Sequence, residues 1–246
     1  MLNIIKSDLY RMFKAKSFYV MQILIFLYNI IVVVAMDNES IGTFISWISI
    51  NNIPLLTGIF MSIFTYSDYK NGYIKNIAGI VPSKVHLLLS KMVIAVIYIL
   101  ISFAVYIFSG LLFSLIFAKH GFTYDASFIQ ILKCLGVHFV LHFAMAMITI
   151  TLITLTRSNA LACTISILAP TSTLFSIAYG ITTVLKVYKI IPSSFDISPF
   201  FISPYFSRID YLSGSEIILK ALVVAVVYIA VLTAISVYAI KKKDIK

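Results

Sequence analysis

His138 and His142 are four residues apart, a spacing that places both imidazoles on one face of a helix. Two imidazoles in this arrangement can bind a metal ion or relay a proton inside a membrane. The neighbouring sequence supplies neither a carboxylate nor a third ligand. The pattern therefore predicts no metal site and favours hydrogen bonds between helices, and it leaves a proton relay open.

Other motifs that carry chemistry are absent from the sequence. There is no GxxxxGK[ST] phosphate loop, no HExxH and no CxxC, so we expect neither ATP binding of that kind nor a zinc site. Cys134 and Cys163 lie in apolar stretches, which predicts buried thiols. We expect no catalytic residue and no cofactor in this chain.

The elements that must position these residues are membrane helices. Of the 246 residues, 61% are hydrophobic and 11% are charged, whereas a soluble domain carries about a quarter charged residues. Such a chain has too little polar surface to face water. The formal net charge of +10 does not indicate nucleic-acid binding, because the lysines flank apolar runs as topology determinants do.

Six apolar runs are long enough to cross a hydrocarbon core about 30 Å thick. With the N-terminus in the cytoplasm, most Lys and Arg residues fall on the cytoplasmic side, so both termini are predicted there. The prediction is an all-α, polytopic membrane protein with one domain over residues 1–246. Its spans are residues 17–36, 44–66, 92–117, 128–155, 160–181 and 217–240.

Two further segments are predicted to lie at the membrane surfaces. Residues 1–16 alternate apolar and basic side chains at helical spacing, which predicts an amphipathic interfacial helix. Residues 182–216 form an external segment rich in aromatic side chains, which favours short helices at the outer interface.

The cytoplasmic loop, residues 67–91, has an unusual composition for a connector. Tyr73, Ile74, Ile77 and Ile80 recur at helical intervals, which predicts a short helix with an apolar face. Exposed apolar faces normally mark sites for partner proteins. The loop is therefore predicted to dock a partner on the cytoplasmic side.

Polar side chains within the spans are amides and hydroxyls, and no span has Asp or Glu at its centre, which argues against an ion-coupled carrier. Such groups can line a substrate path or satisfy backbone groups beside a proline. For the second span the path is favoured, and for the fifth both interpretations stay open. The candidates are Asn51, Asn52, Thr57, Thr171, Ser172 and Thr173.

The order of these features resembles the permease subunits of ATP-binding-cassette (ABC) transporters of the type-2 export class. In that class an amphipathic segment and two spans precede an acidic residue, a glycine, a short helix, a Pro-x-Ser-Arg turn and a lysine that opens the third span. Lys84 stands here where arginine is commoner, and Asp68 where glutamate is commoner. The matching residues are Asp68, Gly72, Pro82, Ser83, Lys84 and Lys91.

The resemblance implies a complex of two permeases, identical or homologous, with two copies of a soluble ATPase that binds ATP and Mg²⁺. It also implies that residues 72–80 form a coupling helix seated in the ATPase. Asp68 is predicted to pair with Arg11 or Lys14 and lock the loop to the N-terminal segment. The expected coupling residues are Gly72, Tyr73, Ile74, Lys75, Asn76, Ile77 and Ile80.

The composition further resembles permeases of bacterial plasma membranes that export peptides or confer immunity to bacteriocins and antibiotics. We therefore expect an amphipathic or hydrophobic substrate, moved outward at the expense of ATP hydrolysed by the partner chain. A stand-alone secondary carrier, or a membrane sensor or scaffold without an ATPase, are the alternatives. The substrate's identity, the direction of transport and the pairing of permeases stay open.

Overall fold

The computed structural model describes residues 2–35, 40–48, 52–73, 83–117 and 122–242. Within these ranges the regular elements are helices, and the only β-type pairing is an isolated bridge between Ser40 and Thr123. The all-α prediction is confirmed. The α-helices in these ranges are α1 (Leu2–Lys14), α2 (Lys16–Ala35), α3 (Ile41–Ser46), α4 (Ile53–Lys70), α5 (Val85–Phe117), α6 (Phe128–Thr156), α7 (Asn159–Leu168), α8 (Thr173–Val187), α9 (Ser203–Arg208) and α10 (Ser215–Lys242).

Four of the described helices, α2, α5, α6 and α10, are long and apolar enough to cross a membrane. A fifth crossing results if α7 and α8 count as one span, although they are bent by 69°. The bend follows Pro170, and Ser172 adopts a left-handed conformation with φ of 60°. The predicted span 160–181 is thus a broken helix. A proline cannot continue the hydrogen-bond ladder, which explains a break at this point.

The predicted span 44–66 also differs from the structure, because α3 and α4 are separate helices in the described ranges. Asn52 has a φ of 62° and precedes α4, and Pro54 occupies the first turn. Asparagine tolerates the left-handed region, and a proline at a helix start removes no hydrogen bond. Helix α4 has 18 residues and ends in a polar turn, so the six-span topology stays a prediction.

Both surface segments contain helices. Helix α1 occupies most of residues 1–16, packs along α5 and buries Asp8 and Met12. The segment before α10 contains a 3₁₀ helix, Ser198–Phe200, followed by α9.

Small side chains allow the membrane helices to approach closely. Helix α10 lies along α6 and buries Ala221, Ala225 and Ala239. Helix α4 meets α7 where a Cβ on Gly58 would stand 2.7 Å from Cβ of Ser166. In a bilayer, helices gain no hydrophobic energy by associating, so close van der Waals contact of this kind holds them together.

At the end of the bundle far from α1, Asp125 joins three segments. Its Oδ1 accepts a hydrogen bond of 3.1 Å from the Gly42 N–H, and its Oδ2 accepts one from the Tyr211 hydroxyl. The Tyr211 N–H donates to Ser46 Oγ at 3.0 Å. Slight burial raises the pKa of Asp125, but these hydrogen bonds outweigh it and hold the pKa below its ordinary value. The carboxylate form is therefore the one that ties α3 to the segment before α10.

Phe44 also anchors α3, because its ring is stacked on Tyr106 of α5 with centroids 4.6 Å apart. Gly110, one turn further along α5, leaves the space that this ring fills. A Cβ at Gly110 would lie 1.9 Å from Cζ of Phe44.

We predict that Gly110→Ala destabilises the protein by about 1–3 kcal/mol, because the added methyl group forces Phe44 off its stacked position. The measurement is the thermal unfolding midpoint in detergent. Gly136→Ala is the control, since a Cβ there meets nothing within 4 Å; its effect should stay below about 1 kcal/mol. Equal midpoints for the two variants would contradict the packing described here.

Candidate functional site

The C-terminal end of α4 carries the first residue of the candidate site. Asp68 lies in the last turn and is 1% exposed. Gly72 follows the helix with φ of 68°, and its N–H contacts the carbonyl of Tyr69 at 3.4 Å. A glycine in this conformation ends a helix without a steric penalty. Helix α4 therefore ends within one turn of Asp68.

Helix α1 supplies two more residues from one face. Asp8 and Arg11 are three residues apart, which makes them neighbours on a helix. Met12 is fully buried beside them. This apolar contact anchors α1 so that the charged face points toward α4 and α5.

These residues and Lys91, near the start of α5, form a closed ring of alternating charge. Arg11 donates through Nη1 to Asp8 Oδ1 at 3.1 Å and through Nη2 to Asp68 Oδ1. Lys91 donates through Nζ to Asp8 Oδ2 at 2.9 Å and to Asp68 Oδ2 at 2.5 Å. Each carboxylate is thus held between both cations. We call Asp8, Arg11, Asp68 and Lys91 the charge ring.

Polar and aromatic neighbours surround the charge ring. Ser90 donates to Asp8 Oδ2 at 2.6 Å. The Lys91 ammonium lies 4.5 Å from the centroid of the Phe64 ring, and the Arg11 guanidinium lies 3.8 Å from that of Tyr73. The Tyr73 hydroxyl is 3.0 Å from Ser7 Oγ. Contacts between a cation and a ring face are attractive and help to hold both basic side chains in place.

The electrostatics of the ring depend on its neutrality. The charges of the two cations and the two anions cancel, so the ring buries no net charge. Three of its four side chains are less than a tenth exposed. Burial by itself lowers the pKa of Arg11, but the hydrogen bond and charge of Asp68 and the charge of Asp8 raise it above its ordinary value. Taking charges out of water is costly, so removing one partner is far worse than removing a balanced pair.

The predicted loop-locking residues are placed differently from one another. Arg11 contacts Asp68 as described, whereas Lys14 is exposed, with its Nζ 5.7 Å from the centroid of the Tyr10 ring. Sequence reasoning missed Asp8, and it identified Lys91 only as the motif lysine that opens the third span, not as a partner of the two carboxylates. The available signal was a charged residue on the same helical face as Arg11, together with a lysine inside an apolar helix.

The predicted coupling residues fall mostly outside the described ranges. Gly72 ends α4, and Tyr73 is half-buried against α1 rather than fully open to a partner. Ile74, Lys75, Asn76, Ile77 and Ile80 lie outside the described residues.

Three of the predicted substrate-path residues line one cavity. Asn52, Thr171 and Ser172 meet there, at the starts of α4 and α8, together with Pro170 and Phe206. Thr57 is fully buried elsewhere in α4, and Thr173 contacts Thr171 through hydroxyls 3.0 Å apart. Asn51 lies outside the described residues. The cavity lining combines amide, hydroxyl and apolar groups.

The two histidines are fully buried in α6. His142 Nδ1 is 2.7 Å from the carbonyl of His138, and His138 hydrogen-bonds the backbone of Ile209, outside α6. Within the described ranges no group of three or more His, Cys, Asp or Glu side chains could hold a metal ion. Cys134 and Cys163 are free thiols.

The sequence model of one protein family, described as ABC-2 family transporter protein, matches residues 4–170 of the chain. This match covers more than half of the chain and includes the whole charge ring. The chain belongs to the ABC-2 transporter family. Members of this family are membrane permease subunits of ABC transporters, so the chain has a transport role in a membrane and is not itself the catalytic subunit. No curated protein sequence gives a significant match.

We predict that Lys91→Met in this ABC-2 permease costs about 3–5 kcal/mol of stability, because Asp8 and Asp68 are then left with Arg11 alone. The double variant Asp8→Asn/Lys91→Met restores neutrality and should recover part of the loss. The measurement is unfolding in detergent, monitored by tryptophan fluorescence.

Lys220→Met is the control for this prediction, since Lys220 pairs with Glu216 on an exposed surface, where an ion pair contributes about 0–1 kcal/mol. The ring would be energetically unimportant if Lys91→Met and Lys220→Met shifted the transition equally.

Proposed function

We propose that this permease exports an amphipathic or hydrophobic substrate, such as a peptide, bacteriocin or antibiotic, from a bacterial cell or its membrane. The energy comes from ATP hydrolysed with Mg²⁺ by two copies of a separate ABC ATPase. A second permease, identical or homologous, completes the complex, and both termini face the cytoplasm. Family membership supports the permease role, and the sequence resemblance supports the finer assignment.

The single observation that carries the coupling mechanism is the contact of Tyr73 with Arg11 at 3.8 Å. Tyr73 belongs to the proposed coupling segment, residues 72–80. Because Arg11 is tied to Asp68, and Lys91 to both carboxylates, a force on this segment acts on α1, α4 and α5 together. The ring thus connects the movement of the ATPase to the membrane helices as one two-state element.

The cavity at Asn52, Thr171 and Ser172 supports an amphipathic cargo. Polar groups on an otherwise apolar lining are typical of sites that orient a small number of ligand groups. The cavity lies at the broken span of α7 and α8, where non-helical backbone is tolerated in a membrane because it faces protein or a water-filled space. We propose that the substrate path passes here.

The surface of α8 supports the second permease. None of the residues of α8 is buried within the described chain, so the helix has free area for another subunit in the bilayer.

The first test is affinity purification of the tagged chain from native membranes, with the bound proteins identified by mass spectrometry. We expect an ATPase with Walker motifs, and we expect Ile77→Asp to release it because a charge disrupts an apolar docking face. Leu212→Asp, which places a charge on the exposed surface of the segment before α10, is the control that keeps the ATPase bound. Transport by the purified chain alone would support the secondary carrier instead.

The second test places the complex in proteoliposomes with a fluorescent amphipathic peptide. Asp68→Ala should lower the peptide transported per ATP hydrolysed by about tenfold, the size of a typical coupling free energy. Glu216→Ala, which removes an exposed carboxylate, should leave this ratio unchanged. Undiminished coupling in Asp68→Ala would overturn the role given to the ring, and accumulation in the opposite direction would overturn export.

A further inference from the structure

Helix α1 has a second face, on the side away from the charge ring. The exposed residues of this helix are Leu2, Asn3, Lys6, Tyr10, Phe13 and Lys14. Because successive helical residues are turned by about 100°, these positions fall within about a third of the helix circumference. Asp8, which is 1% exposed, lies on the opposite side. We call the six residues the exposed face of α1.

The exposed face is apolar and basic at the same time. Leu2, Tyr10 and Phe13 are 73%, 65% and 42% exposed, and the two lysines of the face stand among them. The only acidic residue of the helix is Asp8, whose charge is balanced within the ring. The face therefore combines large apolar side chains with positive charge and has no carboxylate of its own. Such a composition is typical of helices that lie in the head-group region of a membrane.

The fold holds α1 at the level where the membrane helices begin. Lys14 ends α1 and Lys16 begins α2, a helix long enough to cross a membrane. The rings of Phe13 and Phe18 make an edge contact across this junction, with centroids 5.4 Å apart. On the other side of α1 the charge ring reaches Lys91, near the start of α5. Two independent connections thus keep α1 beside the ends of two membrane helices, where phospholipid head groups lie.

Charge complementarity selects the occupant of the exposed face. Anionic phospholipids give a leaflet a negative surface, which attracts lysines held within a few ångströms of it. The long lysine side chains can reach lipid phosphates while aromatic side chains enter the boundary with the acyl chains. Lys14 and Tyr10 already form such a pair, because the Lys14 Nζ lies 5.7 Å from the centroid of the Tyr10 ring. A phospholipid surface thus satisfies both the charge and the apolar area of this face.

We propose that the exposed face of α1 binds the anionic phospholipid surface of the leaflet at this end of the bundle. The two lysines contact the lipid phosphates, and the leucine and the two aromatic side chains enter the acyl boundary. The same helix carries Asp8 and Arg11 on its other sides, so the charge of the leaflet acts on the helix that completes the charge ring. The binding itself needs no ATPase and is independent of the proposed export function.

The experiment compares the full-length chain, without an ATPase, in nanodiscs of phosphatidylcholine alone and of phosphatidylcholine mixed with phosphatidylglycerol. Hydrogen–deuterium exchange with mass spectrometry measures how often the backbone of α1 opens. We expect phosphatidylglycerol to slow the exchange of α1 at least about tenfold, because each lysine near an anionic surface contributes about 1 kcal/mol and a factor of ten corresponds to about 1.4 kcal/mol. Salt at about 1 M should remove the difference, since it shortens the Debye length to about 3 Å.

Lys6→Gln/Lys14→Gln should exchange at the same rate in both kinds of nanodisc, because the charge that distinguishes the two lipids is gone. The matched control is Lys241→Gln/Lys242→Gln, which removes the same charge at the C-terminal end of α10. That end lies near the charge ring, since Ala239 lines the cavity beside Lys91, and this variant should keep the full effect on α1. Leu2→Gln/Tyr10→Gln should speed the exchange in both nanodiscs, because glutamine keeps the helix propensity and removes the apolar contact.

Three results would overturn the proposal. The first is equal exchange of α1 in both nanodiscs for the unmodified chain. The second is a slowing by phosphatidylglycerol that persists in Lys6→Gln/Lys14→Gln. The third is a slowing that occurs only when an ATPase is bound, which would assign the exposed face to that protein instead. A chain that shows the lipid effect but transports nothing would count against the proposed export function alone.

Discussion

Two carboxylates and two cations, three of which have almost no access to water, determine how one end of this protein is built. Asp8, Arg11, Asp68 and Lys91 belong to three different helices, and each charge has two neighbours of opposite sign. Low exposure makes every one of these charges expensive unless the ring is complete. The positions of α1, α4 and α5 relative to one another are therefore coupled, and the proposed transmission of force depends on that coupling.

The rest of the bundle is held by weaker and more distributed contacts. Small residues bring α10 against α6 and α4 against α7, and stacked aromatic rings join α4 to α5, as Phe60 and Tyr98 do with centroids 4.1 Å apart. Such contacts are individually small and can slide or repack. The charge ring holds one end of the bundle rigid, and the helices elsewhere contact each other through small residues. This combination suits a permease that alternates between two arrangements of its helices.

A cavity between α4, α5, α6 and α10 is lined in part by Asp68 and Lys91 of the charge ring. The cavity at Asn52, Thr171 and Ser172 lies instead at the broken span. The charge ring and its neighbouring cavity therefore lie at the C-terminal end of α4. The cavity with both polar and apolar lining lies at the N-terminal end of α4.

Much of this protein was determined by sequence alone. Apolar runs longer than a bilayer is thick require helices, and the order of acidic residue, glycine and lysine around the third span indicated the permease family before any contact was known. The resemblance also led to Asp68 and two candidate partners, Arg11 and Lys14, and the structure shows that Arg11 makes the contact. It could not show that Asp8 and Lys91 complete the ring, because the partner of a charged residue in a helix is decided only when the helices pack. The predicted spans 44–66 and 160–181 ran across the breaks before Ile53 and after Leu168, because apolar residues lie on both sides of each break. Pro54 and Pro170 are the local sequence signals for these breaks, and the structure adds the left-handed conformations of Asn52 and Ser172. The closed ring forms only where residues distant in sequence come together, because buried charges are balanced by neighbours that only the packed helices supply.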